Sequence, residues 1–111
     1  MAALLGFRSR SPDRDRRTDE DRLRRLTAAL DQIAGEIAAE RGGLSKRLQA
    51  RAVNAGFLNE SIENGEMSAK AVAKLDDLSS SIVTAERRLA LLSRQSIIVE
   101  AWKKNLNEFP E

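Results

Sequence analysis

The chain has 111 residues, of which 41% are apolar and 32% are charged, and its formal net charge is +2. This composition is typical of a single helix-rich domain and differs from that of disordered, collagen-like or membrane proteins. Cysteine and histidine are both absent, which excludes disulfides, thiolate metal sites and the commonest general base. We therefore expect neither an enzyme with a small-molecule substrate nor a bound metal or cofactor.

Residues 1–17 differ from the rest of the chain in charge and in pattern. They contain Gly6, Pro12 and the run RSRSPDRDRR without helical periodicity, so we expect a flexible basic arm. The opening MAALLGF is too short for the apolar region of a signal peptide or for a membrane span. We therefore expect a cytoplasmic protein that does not bind a membrane.

A first helix is predicted over about residues 18–63. Thr18 stands before three consecutive acids, which favours a capped helix start there, although Ser11 followed by Pro12 is a competing, earlier start. Apolar residues then recur at spacings of three and four, the pattern of a helix with one buried stripe. These residues are Leu23, Leu26, Leu30, Ile33, Ile37, Leu44, Leu48, Ala52, Ala55, Leu58 and Ile62.

Two adjacent glycines, Gly42 and Gly43, fall within this stripe, and each would cost about 1 kcal/mol in a helix relative to alanine. Leu44 lies seven residues after Ile37 and keeps the stripe in phase. We therefore predict a continuous helix, with a short break as the alternative. We also expect the side-chain-free surface of the pair to admit a close approach of Leu89.

A turn is predicted at residues 64–67, because Asn64 with Gly65 favours the end of a helix and Ser68 can cap the next one. The second helix, over about residues 68–108, carries a nearly unbroken heptad series. A turn this short between helices of similar length predicts an antiparallel pair. The heptad residues are Leu75, Leu78, Ile82, Ala85, Leu89, Leu92, Ser96, Val99 and Leu106.

The predicted fold is all-α: a long antiparallel helical hairpin over residues 18–111 that forms a helical bundle by self-association or with a partner. A second apolar stripe lies on the second helix, on a side that the first helix is not expected to reach. Because burial of a large apolar side chain contributes about 1.5–3 kcal/mol, we expect this stripe to be covered. The candidate covers are the chain's own arm, a second copy of the hairpin and a different protein. The stripe consists of Leu91, Ile98, Trp102 and Phe109.

Basic residues form a second candidate site. The antiparallel fold predicts a positive girdle halfway along the hairpin, and the arm adds further arginines. The phosphates of a nucleic acid or an acidic protein are candidate ligands, and the alternative is a solvated face whose charges pair with Glu36, Glu40 and Glu86. The basic residues are Arg14, Arg16 and Arg17 in the arm and Arg41, Lys46, Arg47, Arg51, Arg87 and Arg88 in the girdle.

These patterns predict a non-enzymatic protein–protein interaction module, an adaptor, assembly factor or regulator that acts through an apolar helical seam. Its expected partner is a second copy of the chain, giving a dimer, or another helical protein. The alternative is an accessory nucleic-acid-binding protein that uses the arm and the girdle, with the hairpin as its dimerisation element.

Overall fold

The computed structural model describes residues 11–65 and 68–110, which contain two long helices and no strand. Helix α1 spans Pro12–Glu63 and helix α2 spans Ala69–Asn105, after which a 3-10 helix spans Leu106–Glu108. The two long helices contact each other as an antiparallel hairpin. The predicted all-α fold, an antiparallel helical hairpin, is therefore confirmed.

Helix α1 begins at Pro12, earlier than the start predicted at Thr18. Ser11 is the cap, because its Oγ accepts a hydrogen bond from the backbone N–H of Arg14 at 3.1 Å, and proline loses no helical hydrogen bond in the first turn. Thr18 lies inside the helix and donates its hydroxyl to the carbonyl of Arg14 at 3.0 Å. The predicted arm is thus helical from Pro12 onward, and the arm residues before Ser11 lie outside the described residues.

The end of α1 and the start of α2 follow the prediction. Gly65 has a φ of 90°, in the left-handed region that favours glycine, and its N–H donates to the carbonyl of Ile62 at 3.1 Å. The Oγ of Ser68 accepts a hydrogen bond from the N–H of Ala71 at 3.1 Å and so caps α2. Residues 66–67 of the predicted turn lie outside the described residues.

The chain divides into two compact units. We call the described residues up to Gly35 and from Ile98 onward the terminal unit, and the described residues within Glu36–Ile97 the turn unit. On each helix the most deeply buried apolar residues recur at every seventh position, as in a coiled-coil seam. These residues are Leu30 and Val99 in the terminal unit and Ile37, Leu44, Ala85 and Leu92 in the turn unit.

The two predicted apolar series have different outcomes. All nine residues of the α2 series are buried or half-buried, as predicted. The α1 series is wrong at Leu26, Ile33 and Ala52, which are exposed. Half-buried Thr27 and Ala34 occupy the seam where Leu26 and Ile33 were expected.

The buried seam of α1 has the order of spacings that the apolar residues show in the later half of the helix. Spacings of three and four can alternate in either order, and Leu44 is followed by Leu48 four residues later. The helix keeps this order along its length, so the half-buried positions after Leu23 and Leu30 also come four residues later. Leu26 and Ile33, which come three positions after those two leucines, therefore lie beside the seam and are exposed.

Helix α1 is continuous through Gly42 and Gly43, as predicted. The expected close approach of Leu89 is wrong, because a Cβ at Gly42 would have no heavy atom beyond the local helix within 4 Å. At Gly43 the nearest atom beyond the local helix backbone would be Nη1 of Arg47, a side chain of α1 itself, at 3.6 Å. The glycine pair therefore makes no close packing contact with α2.

Candidate functional site

Among the described residues of the terminal unit, four large apolar side chains are exposed, two on each helix. Leu26 and Ile33 of α1 are 41% and 43% exposed, and Ile98 and Trp102 of α2 are 48% and 55% exposed. Residues seven or four positions apart lie on the same side of a helix, so each pair forms one exposed row. We call these four residues the apolar face.

An open groove connects the α1 and α2 parts of the apolar face. Its lining includes Leu26 and Leu30 of α1, Trp102 of α2, and Leu106 and Phe109 beyond the end of α2, and its volume is about 290 Å³. Because Leu26 and Trp102 border the same groove, the two helices present their exposed rows on the same side of the terminal unit.

A different flank of the terminal unit is charged. Nζ of Lys103 lies 3.2 Å from Oδ1 of Asp31 and 3.6 Å from Oε1 of Glu100. The hydrogen bond to Asp31 is the main cause that raises the pKa of Lys103. Asp31 borders a separate groove together with Leu23 and Arg24. The apolar flank and the charged flank of the unit are therefore distinct.

The predicted stripe of α2 is only partly contained in the apolar face. Ile98 and Trp102 belong to it, and half-buried Phe109 lines its groove. Leu91 is 46% exposed in the turn unit. In contrast to the expectation that α1 does not reach this stripe, Leu26 borders the same groove as Trp102 and Phe109. The sequence pattern places Leu26 and Ile33 in the buried seam and therefore does not predict the α1 half of the face.

The predicted basic girdle contains a tight ion pair. Nε of Arg88 donates to Oε2 of Glu40 at 2.6 Å, and Nη2 donates to Oε1 at 3.0 Å. The hydrogen bond from Arg88 lowers the pKa of Glu40. Glu40 is thus paired, as the alternative of a solvated face predicts, whereas Glu36 and Glu86 have no basic side chain within 4.0 Å in the described part of the chain. Arg51 and Arg88 border one groove of about 390 Å³ with Ser80. Of the other girdle residues, Lys46, Arg47 and Arg87 are exposed and Arg41 is half-buried.

The arginines predicted for the arm lie on the first turns of α1. Arg14, Arg16 and Arg17 are exposed there, and Nη2 of Arg16 lies 3.0 Å from Oδ1 of Asp13. Alternating acids and bases at helical spacing thus balance part of the positive charge of this segment.

The described residues show neither a metal-binding cluster nor a membrane-spanning helix. Residues 11–65 and 68–110 contain no group of three acidic side chains placed to hold a metal ion, and none of their helices is long and apolar enough to cross a membrane. Comparisons of the chain with family models, with curated proteins and with solved structures find no match.

Proposed function

We propose that the chain is a non-enzymatic protein–protein interaction module that packs the apolar face of its terminal unit against another helical surface. The observation that supports this proposal is the exposure of Trp102 and Leu26 at one groove. Ile98 and Ile33 extend the exposed apolar surface along the same side of each helix. Contiguous exposed apolar surface commonly marks a protein interface, and tryptophan is enriched among the residues that dominate binding energy.

The size of the apolar face indicates what a partner must supply. Burial of a large apolar side chain contributes about 1.5–3 kcal/mol relative to full exposure. Because about half of the surface of each of these four residues is already covered, covering the rest would contribute roughly 4 kcal/mol in total. This gain is close to the lowest estimates of the cost of association, so a stable complex requires additional contacts beside the face.

An interaction module of this kind acts by occupying or bridging helical surfaces, as an adaptor, an assembly factor or a regulator does. The rival proposal, an accessory nucleic-acid-binding protein, has less support because Arg16 and Arg88 already pair with carboxylates. We also propose a cytoplasmic location, which imaging of a tagged chain in the producing cell would test.

Photo-crosslinking from the apolar face tests the proposed function. With p-benzoylphenylalanine in place of Trp102, we expect a protein adduct in the producing cell, and we expect Ile98→Asn in the same chain to reduce its yield. Phe57 is the matched control position, because it is an aromatic residue 66% exposed in the turn unit. Equal protein adducts from both positions, or adducts to nucleic acid alone from position 102, would contradict the proposal.

A further inference from the structure

A row of side chains along α1 is self-complementary. It contains Arg22, Leu26, Ala29, Ile33 and Glu36, at alternating spacings of four and three that place all five on one side of the helix. Arg22 and Glu36 lie seven residues before and after Ala29, and the two large apolar residues lie three before and four after it. A half-turn about an axis through Ala29 therefore exchanges the positions of Arg22 and Glu36 along the helix, and it brings Leu26 to within one residue of the position of Ile33.

The two charged ends of this row are accessible. The Arg22 side chain is 61% exposed, and its contact with Asp19 is long, at 3.7 Å. Glu36 is also exposed, and in the described part of the chain no basic side chain lies within 4.0 Å of its carboxylate. Both charges can therefore pair with groups on another molecule.

We infer that a second copy of the chain packs on this row, with the two α1 helices antiparallel around a two-fold axis at Ala29. This inference rests on the proposed function and names the partner of the same face. Leu26 then packs against the partner's Ile33, and Arg22 pairs with the partner's Glu36. A two-fold axis repeats each of these contacts, so a single set of residues supplies both halves of the interface.

The small side chain at the axis permits close packing of the two helices. Packed helices lie about 8–10 Å apart, and small residues at the contact favour the shorter distance. Ala29 is exposed and carries only a methyl group. Trp102 borders the same groove as Leu26, so a chain seated on the α1 row also covers Trp102. The flanking ion pairs and this added coverage are the further contacts that the apolar face requires.

Charge reversal tests the antiparallel pairing in the full chain. Sedimentation equilibrium of the wild type should give twice the 12.3 kDa chain mass. Arg22→Glu alone, or Glu36→Arg alone, places like charges opposite each other twice, and we expect each variant to raise the dimer Kd about tenfold. The double variant should restore the Kd. An equimolar mixture of the two single variants should also restore it, because one chain is then acidic at both positions and the other basic at both.

A matched control separates this effect from a general change of charge. Arg24→Glu makes the same charge change and also loses an ion pair within the helix, with Asp21 at 3.0 Å. Arg24 borders the separate groove that contains Asp31, so we expect Arg24→Glu to leave the dimer Kd unchanged. Circular dichroism of every variant tests whether the helices are intact.

The outcomes distinguish the partner from the function. A wild-type chain that stays monomeric across the concentration range of the assay overturns the second copy as the partner. The cover of the face would then be the chain's own first ten residues or another protein. In that case the proposed function still stands if position 102 cross-links to a different protein. If the wild type is a dimer but Arg22→Glu raises its Kd no more than Arg24→Glu does, the antiparallel α1 pairing is overturned.

Discussion

Replacing Gly42 by alanine should raise the free energy of unfolding by about 1 kcal/mol, because alanine has a higher helix propensity and restricts the unfolded chain. The structure supplies no opposing cost, since a Cβ at this position meets no heavy atom beyond the local helix within 4 Å. At Gly43 the new Cβ would lie 3.6 Å from Nη1 of Arg47, an ordinary contact with the end of a flexible side chain. Gly43→Ala should therefore stabilise the helix by a similar amount.

Urea unfolding followed by circular dichroism measures these changes, at one fixed protein concentration because self-association adds to apparent stability. Gly65→Ala is the matched control. At its φ of 90° an alanine is strained, and we expect a loss of about 1–2 kcal/mol. A loss of stability in Gly42→Ala would refute the reasoning, because it would indicate a close neighbour on that side of α1. No change, combined with rapid amide exchange at the pair, would refute the continuous helix.

Three further predictions concern the seam, a cap and an ion pair. Leu92 is 1% exposed and Leu91 is 46% exposed. Leu92→Ala should therefore lower the free energy of unfolding in urea by about 2–5 kcal/mol, and Leu91→Ala should lower it by less than about 1 kcal/mol. Equal losses of stability in the two variants would contradict the assignment of Leu92 to the buried seam. Ser68→Ala should cost about 1 kcal/mol by removing the cap of α2, and an unchanged midpoint of unfolding would contradict that role. Because Arg88 lowers the pKa of Glu40 below its ordinary value of 4.5, the carboxylate stabilises the fold above that pH and loses this contribution as the pH falls through the lowered value. Glu40→Gln should therefore flatten the dependence of stability on pH in the acid range, and an unchanged acid dependence would contradict the pairing.

The hairpin was predictable from the sequence because its signals are local and agree with one another. The heptad series of α2 contains large apolar residues at nearly every seam position, so only one side of that helix could face α1. Gly65 and Ser68 are residue types whose backbone and hydroxyl chemistry suit the end of one helix and the start of the next. Both of their roles are confirmed.

The α1 half of the apolar face was not predictable by counting apolar residues alone. Leu26 and Ile33 fit helical spacing as well as the residues that replace them in the seam, so the pattern leaves two rotations of the helix open. The order of spacings at Leu44 and Leu48 decides between the two rotations. Ser11 likewise competes with Thr18 on residue type alone, and it prevails because the acids between them extend the helix toward the N terminus.

A single introduced cysteine gives the most direct test of the antiparallel pairing. The chain contains no cysteine, so Ala29→Cys can form a disulfide only with another copy, and the bond requires the two Cα atoms to lie within about 7 Å. We predict rapid formation of a disulfide-linked dimer under mild oxidation, visible by non-reducing electrophoresis. Ala28→Cys, whose position borders the groove with Asp31, should remain largely monomeric. Equal rates of cross-linking for the two variants, or no cross-linking of Ala29→Cys, would contradict a two-fold axis at Ala29.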